Sequence, residues 1–138
     1  MRRGALVAAA TALSLVIGAA CFAQYRPLTP NNVTTAKVGG QLLYVDAQGK
    51  TLYTFDRDST FQSSCNGQCA RTWLPLPARS EHNHGPWGMM MRKDGSKQWA
   101  YRGKPVYTYS GDKVPGDAKG DNAGPKGSHL WHVLKVVQ

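Results

Sequence analysis

Apolar residues in this chain fall in short stretches bounded by Gly, Pro, Asn and Asp, and where they alternate they do so with a period of two. Residues 41–46 carry Leu42, Leu43, Tyr44 and Val45 between Gly39-Gly40 and Ala47-Gln48-Gly49. Residues 50–56 follow with Leu52, Tyr53 and Phe55, and the two segments predict a hairpin whose turn contains Gly49, a residue free to take a positive φ. Alternation sends Tyr53 and Phe55 to one face and Leu52 and Thr54 to the other. Residues 87–92 and 96–101 predict a second hairpin around Lys93-Asp94-Gly95, Asp-Gly being a strong turn signal. A further strand is expected over 104–109. A closing strand over 130–137 would place Trp131 and Val133 on one face, and His132, Leu134 and Val136 on the other. Residues 68–73 predict a turn or two of helix, stopped by Pro75 and Pro77. Residues 78–86 and 110–127 read as loops. Many short strands and little helix make the expected class all-β.

The chain also repeats itself. Tyr53-Thr54-Phe55-Asp56-Arg57-Asp58 returns 54 residues later as Tyr107-Thr108-Tyr109-Ser110-Gly111-Asp112, and Gly49-Lys50 returns at the same offset as Gly103-Lys104. Each copy then runs through a long loop to a tryptophan, Trp73 in the first and Trp131 in the second. Matched copies imply one unit used twice, over about residues 40–73 and 94–131. The aromatic residues of each motif are expected to pack on the tryptophans, since a large ring buries about 150–250 Å².

The N-terminus changes the picture of location. Arg2 and Arg3 followed by the apolar run 5–20 and small residues form an export signal over 1–23, too short to predict a permanent membrane span. Ala23 suits a cut before Gln24 that releases a soluble product; Gly18-Ala19-Ala20-Cys21 is a poor lipoprotein box in which Cys21 would carry acyl chains. Residues 24–38, rich in Pro, Asn and Thr, read as a flexible arm, and 39–138 as a single β domain. The formal charge of +9 falls by two when Arg2 and Arg3 are lost, leaving a basic surface with no run of five cations. Cations scattered singly among strands and loops need only confer solubility; a more specific reading is attraction to anionic envelope lipids or polymers, reached peripherally or through a lipid on Cys21, and nothing marks nucleic acid as a partner.

Outside the cytoplasm the remaining cysteines, Cys65 and Cys69, are expected to form a disulfide, with Asn66-Gly67 supplying the turn between them. The spacing is neither Cys-x-x-Cys nor Cys-x-x-Cys-His, and no further well-spaced ligands mark a zinc site.

The doubled motif, Cys65-Asn66-Gly67-Gln68-Cys69-Ala70 with Trp73 beyond it, Pro115-Gly116-Asp117 and Trp131-His132-Val133 together resemble a bacterial exported family of predicted lipoproteins, a secreted repeat of unknown function recognised by Tyr-x-[Phe/Trp/Tyr]-x-x-Asp. The resemblance covers about residues 39–137 and implies an envelope or secreted location without an established activity. The chain departs from the pattern at its weak lipobox and at Leu74-Pro75-Leu76.

Candidate chemistry is sparse. Asp58 and Asp112 could pair as acid and base or hold a hard cation, but their repetition with aromatic neighbours favours capping of a strand-to-loop transition through backbone N–H groups. No Gly-x-Ser-x-Gly elbow or other nucleophilic arrangement is present, so no catalytic residues are assigned. His82 and His84, with Met89-Met90-Met91 beyond them, bear ligand types suited to copper or zinc. A strand, however, would split the three methionines between its faces. The expected function is therefore a non-enzymatic binding or structural module for an anionic envelope component, needing no cofactor. The alternative is a periplasmic copper- or zinc-binding protein using His82 and His84.

Overall fold

The computed structural model describes residues 27–80 and 82–137. The expected export signal and Cys21 lie outside the described residues. Short antiparallel strands dominate: β1 (Val33–Val38), β2 (Gln41–Asp46), β3 (Leu52–Phe55), β4 (Trp73–Pro75), β5 (Trp87–Met91), β6 (Lys97–Tyr101), β7 (Lys104–Pro105), β8 (Tyr107–Tyr109) and β9 (Trp131–Val133), with a single helical turn α1 (Cys69–Thr72). The all-β class expected from the alternation is the one found.

The two copies are interleaved. The central sheet has the order β4-β8-β3-β9, and in its middle Tyr53 of β3 stands opposite Tyr107 of β8. An approximate two-fold axis through that pair exchanges the copies. It maps the β3–β9 pairing, with Phe55 opposite Trp131, onto the β8–β4 pairing, with Tyr109 opposite Trp73. The tail of each copy therefore completes the sheet of the other. Backbone hydrogen bonds repeat the exchange: Leu76 N–H donates to Val106 O at 2.9 Å and Leu134 N–H to Leu52 O at 2.8 Å. Likewise Trp99 N–H donates to Leu76 O and Tyr44 N–H to Leu134 O, both at 2.9 Å.

This sheet separates two cores. On one face Leu52, Val106, Leu76 and Leu134 pack with Tyr44, Trp87, Trp99 and Tyr101 of the hairpins β1-β2 and β5-β6. On the other, Tyr53, Tyr107, Trp73, Trp131 and Cys65 pack beneath the loops 56–72 and 110–130. Strand alternation places Leu52 and Tyr53 in different cores, as the period-two pattern requires.

Two expectations need correction. The arm expected over 24–38 contains a strand: Val33–Val38 pairs along its length with β2, from Val33 opposite Asp46 to Val38 opposite Gln41 around Gly39-Gly40. Alternation of buried and exposed positions is weak in Val-Thr-Thr-Ala-Lys-Val, and only its two end valines are buried. The hairpin expected between 41–46 and 50–56 is reduced to a bridge at Val45 and Thr51, because β2 pairs with β1 while β3 enters the central sheet. The expected hairpin from 87 to 101 does form, as β5 and β6.

Because each tail pairs with the opposite copy, residues 27–80 expressed alone leave β3 and β4 without their sheet partners. That fragment is expected not to fold as a monomer; a cooperative, concentration-independent urea transition for it would contradict the interleaved arrangement.

Candidate functional site

The repeated motif builds one reciprocal cluster. Tyr53 Oη donates to Asp112 Oδ2 at 2.6 Å, and Tyr107 Oη donates to Asp58 Oδ2 at 2.7 Å, so each phenol hydrogen-bonds the carboxylate of the other copy. The second oxygen of each carboxylate holds a loop: Asp58 Oδ1 accepts Ser64 N–H at 2.7 Å and Asp112 Oδ1 accepts Lys119 N–H at 2.9 Å. The capping role expected for the aspartates is thus only half of what they do. Period-two spacing could not show the other half, since the phenol each one meets lies in the opposite copy.

Beside these bonds runs a stack of four rings. Phe55 lies on Trp131 (4.2 Å, 14°), Trp131 on Trp73 (3.8 Å, 3°) and Trp73 on Tyr109 (4.5 Å, 27°). Tyr53 meets Trp73 edge-on at 5.4 Å, and Tyr107 meets Trp131 edge-on at 5.1 Å. Each tryptophan thus meets one ring of its own copy and two of the other, the opposite tryptophan among them. The approach is close enough to demand glycine at 120: a Cβ there would fall 2.6 Å from Trp73 Cη2 and 3.1 Å from Tyr53 Cε1. Counted from the N–H that each aspartate accepts, Gly120 corresponds to Cys65. Cys65 is fully buried and bonded to Cys69, with Cα atoms 5.2 Å apart. The disulfide therefore holds the first loop over its rings where glycine lets the second loop lie down.

Burial first, then the hydrogen bond and charge of Asp112, push the Tyr53 phenol well above its ordinary value. Burial raises Tyr107 as well, with Asp58 adding to the effect and the Ser63 hydroxyl opposing it. Asp58 is itself raised, because burial outweighs the stabilisation by Tyr107, the Ser64 N–H and the Arg92 charge. Phenols and carboxylates so committed are structural groups.

The histidines are placed otherwise. His82 is exposed, and its backbone N–H donates to Ser80 Oγ at 3.1 Å; the His84 ring lies edge-on to Trp99 at 5.7 Å. Met89 packs on the hairpin core, Met90 is buried and Met91 is exposed. Among the described residues no three His, Cys, Asp or Glu side chains gather as a metal-binding group.

Two surface features were not singled out by the motifs. A groove of about 450 Å³ opens beside β9, floored by Tyr101, Val133, Leu134 and Val137 and bordered by Arg102, Lys104, His132 and Lys135. None of its lining residues is acidic. His132 Nε2 meets Asp56 Oδ2 at 2.7 Å, and the Arg102 guanidinium lies 5.5 Å over the Tyr101 ring. A second, more polar cleft of about 640 Å³ lies between the first loop and the β5-β6 turn. The groove's cations are scattered in sequence and adjoin only after β7 and β9 are placed, so no local run betrays them.

Comparison with known proteins agrees with this architecture. The family model of a secreted repeat of unknown function matches residues 33–76 and 88–135, one match for each interleaved copy, and the chain belongs to that family. The matched segments begin earlier than the repeats expected at 40 and 94, because each includes the first strand of its hairpin. No curated protein and no solved structure matches the chain.

Two outcomes test the cluster. Asp112→Ala removes the acceptor of a fully buried phenol and is expected to cost about 1–3 kcal/mol in denaturant unfolding; adding Tyr53→Phe should recover part of that loss. The phenol shifts also fix a sign. Groups whose folded-state pKa is raised above the unfolded 10.0 support folding below that pH and lose that support as pH rises. Ultraviolet absorbance titration should therefore show Tyr53 and Tyr107 ionising only together with alkaline unfolding, a step absent from the Tyr53→Phe, Tyr107→Phe double variant.

Proposed function

We propose that this member of the secreted-repeat family is an exported, non-enzymatic binding module that docks on anionic lipid of the cell envelope. The observation that carries the reading is the groove beside β9, where an apolar floor is bordered by Arg102, Lys104 and Lys135 with no lining carboxylate. An apolar strip takes acyl or glycerol carbon while the surrounding ammonium and guanidinium groups meet phosphate. Lys104 and Lys135 are exposed, so their charge reaches a surface without rearrangement. The net positive charge of the chain draws it to the same surface over a longer range.

Export follows from the signal over 1–23, and a cut before Gln24 leaves a periplasmic or secreted soluble product. Acylation at Cys21 would instead tether the same module to a membrane and place the groove near it throughout. Binding is favoured over catalysis because the repeated aspartates are committed to phenols and loop N–H groups.

Sedimentation with phosphatidylglycerol vesicles and with phosphatidylcholine vesicles tests the reading. Binding is expected to the anionic vesicles alone and to weaken as salt rises. The Lys104→Ala, Lys135→Ala variant should bind about thirtyfold more weakly, at roughly 1 kcal/mol per cation near the surface. Equal binding to both vesicle types, or no salt dependence, would remove the electrostatic basis.

A further inference from the structure

The two copies act as controls for one another. Wherever they agree, the shared fold explains the residue; where one departs, the fold alone does not require it. Val38 and Arg92 occupy equivalent positions, each closing its hairpin, Val38 opposite Gln41 and Arg92 through an N–H donated to Ser96 O. Leu43 and Gln98 are likewise equivalent, each bridging the tail of the opposite copy at Lys135 and Pro77. All four are buried, yet the second copy has exchanged two apolar residues for a cation and an amide.

That exchange shapes one loop. Arg92 Nη1 donates to Gln98 Oε1 at 2.6 Å and Ser63 Oγ at 3.1 Å, and Nη2 to Cys65 O at 2.7 Å and Asn66 Oδ1 at 3.2 Å. Burying a cation is costly, and Arg92 offsets that cost through four neutral acceptors and through its charge near Asp58, neither of which Val38 needs in the other copy. What Arg92 does is set the first loop as the wall of the polar cleft of about 640 Å³, within the usual size of ligand sites.

At the mouth of that cleft stands Phe61, 44% exposed, with its backbone at a φ of 53°. A bulky residue in the left-handed region is strained and needs support from its surroundings. The support is an N–H donated to Gly103 O at 2.7 Å and a seat on Gly88, where a Cβ would fall 2.9 Å from Phe61 Cε1. The equivalent of Gly103 in the first copy is Gly49, and Pro115, not an aromatic ring, lies against it. The cleft adds Ser59 and Gln62, both exposed, and Lys93, and no carboxylate lines it.

We propose that this cleft is a binding site for an acidic oligosaccharide. A rigid aromatic face takes the C–H surface of a sugar ring, amides and hydroxyls that both donate and accept suit neighbouring sugar hydroxyls, and Lys93 suits a uronate. Apart from Phe61 and the two methionines Met90 and Met91 the lining is polar, which suits a sugar better than an acyl chain, and this reading and that of the groove beside β9 stand on different residues.

The test is an NMR titration of the ¹⁵N-labelled exported protein with an alginate hexasaccharide, using maltohexaose as the neutral comparison. Alginate is expected to shift amides of 59–66 and 90–93. Phe61→Gly, which suits the positive φ, and Gln62→Ala, which alters an exposed side chain, should each weaken it at least tenfold, with the melting temperature unchanged in Gln62→Ala and the folded amide spectrum retained in Phe61→Gly. Lys93→Ala should reduce the preference for alginate over maltohexaose. Absence of binding, shifts centred on 132–137, equal binding of the two sugars, or full affinity in both Phe61→Gly and Gln62→Ala would each overturn the proposal.

Discussion

The reciprocal phenol-to-carboxylate hydrogen bonds between the two copies govern this structure. Tyr53 and Tyr107 are fully buried, and a buried hydroxyl without a partner is costly. Each finds its acceptor only in the opposite copy, so neither motif is satisfied until both are folded and crossed. The same carboxylates hold the loops that cover the rings, which ties loop closure to sheet formation. Long irregular loops can lie over a core here because their backbone groups have named partners.

The indole stack gives the crossing its register. Trp73 and Trp131 face one another at 3.8 Å and 3°, each flanked by the outer ring of the opposite copy's motif. Aromatic ring pairs contribute about 0.5–1.5 kcal/mol each beyond area burial. Because β4 and β9 are only three residues long, their own ladders hold them weakly, and the rings fix which residue lies opposite which. The disulfide and Gly120 then solve one steric problem in two ways, by pinning one loop and by thinning the other.

Departures from the two-fold carry the functional argument. The hairpin core uses Val33 in one copy and Trp87 in the other, a change of volume that packing absorbs. Val38 to Arg92 and Leu43 to Gln98 are changes of polarity in buried positions, and Arg92 lines the polar cleft beside the first loop. The basic groove beside β9 is also a product of the crossing, since Lys135 belongs to the second copy's tail and reaches the bordering Lys104 only as that tail runs along the first copy's sheet edge.

Much of this was legible in the chain itself. Period-two aromatics showed strands, and Tyr53, Phe55, Tyr107 and Tyr109 showed a unit used twice, because side-chain alternation is a local property of extended backbone. Cys65 and Cys69 are near enough in the chain for their pairing to follow from spacing and compartment. Val33–Val38 was missed because an edge strand buried only at its ends leaves no alternation to detect. Partnership was the part that sequence could not carry. Which carboxylate receives which phenol, which tryptophan meets which ring, and where Arg92, Phe61 and the groove's cations gather are decided by pairing across the two-fold. Contacts between residues far apart in the chain depend on how the strands cross, and identical local motifs are compatible with both a crossed and an uncrossed arrangement.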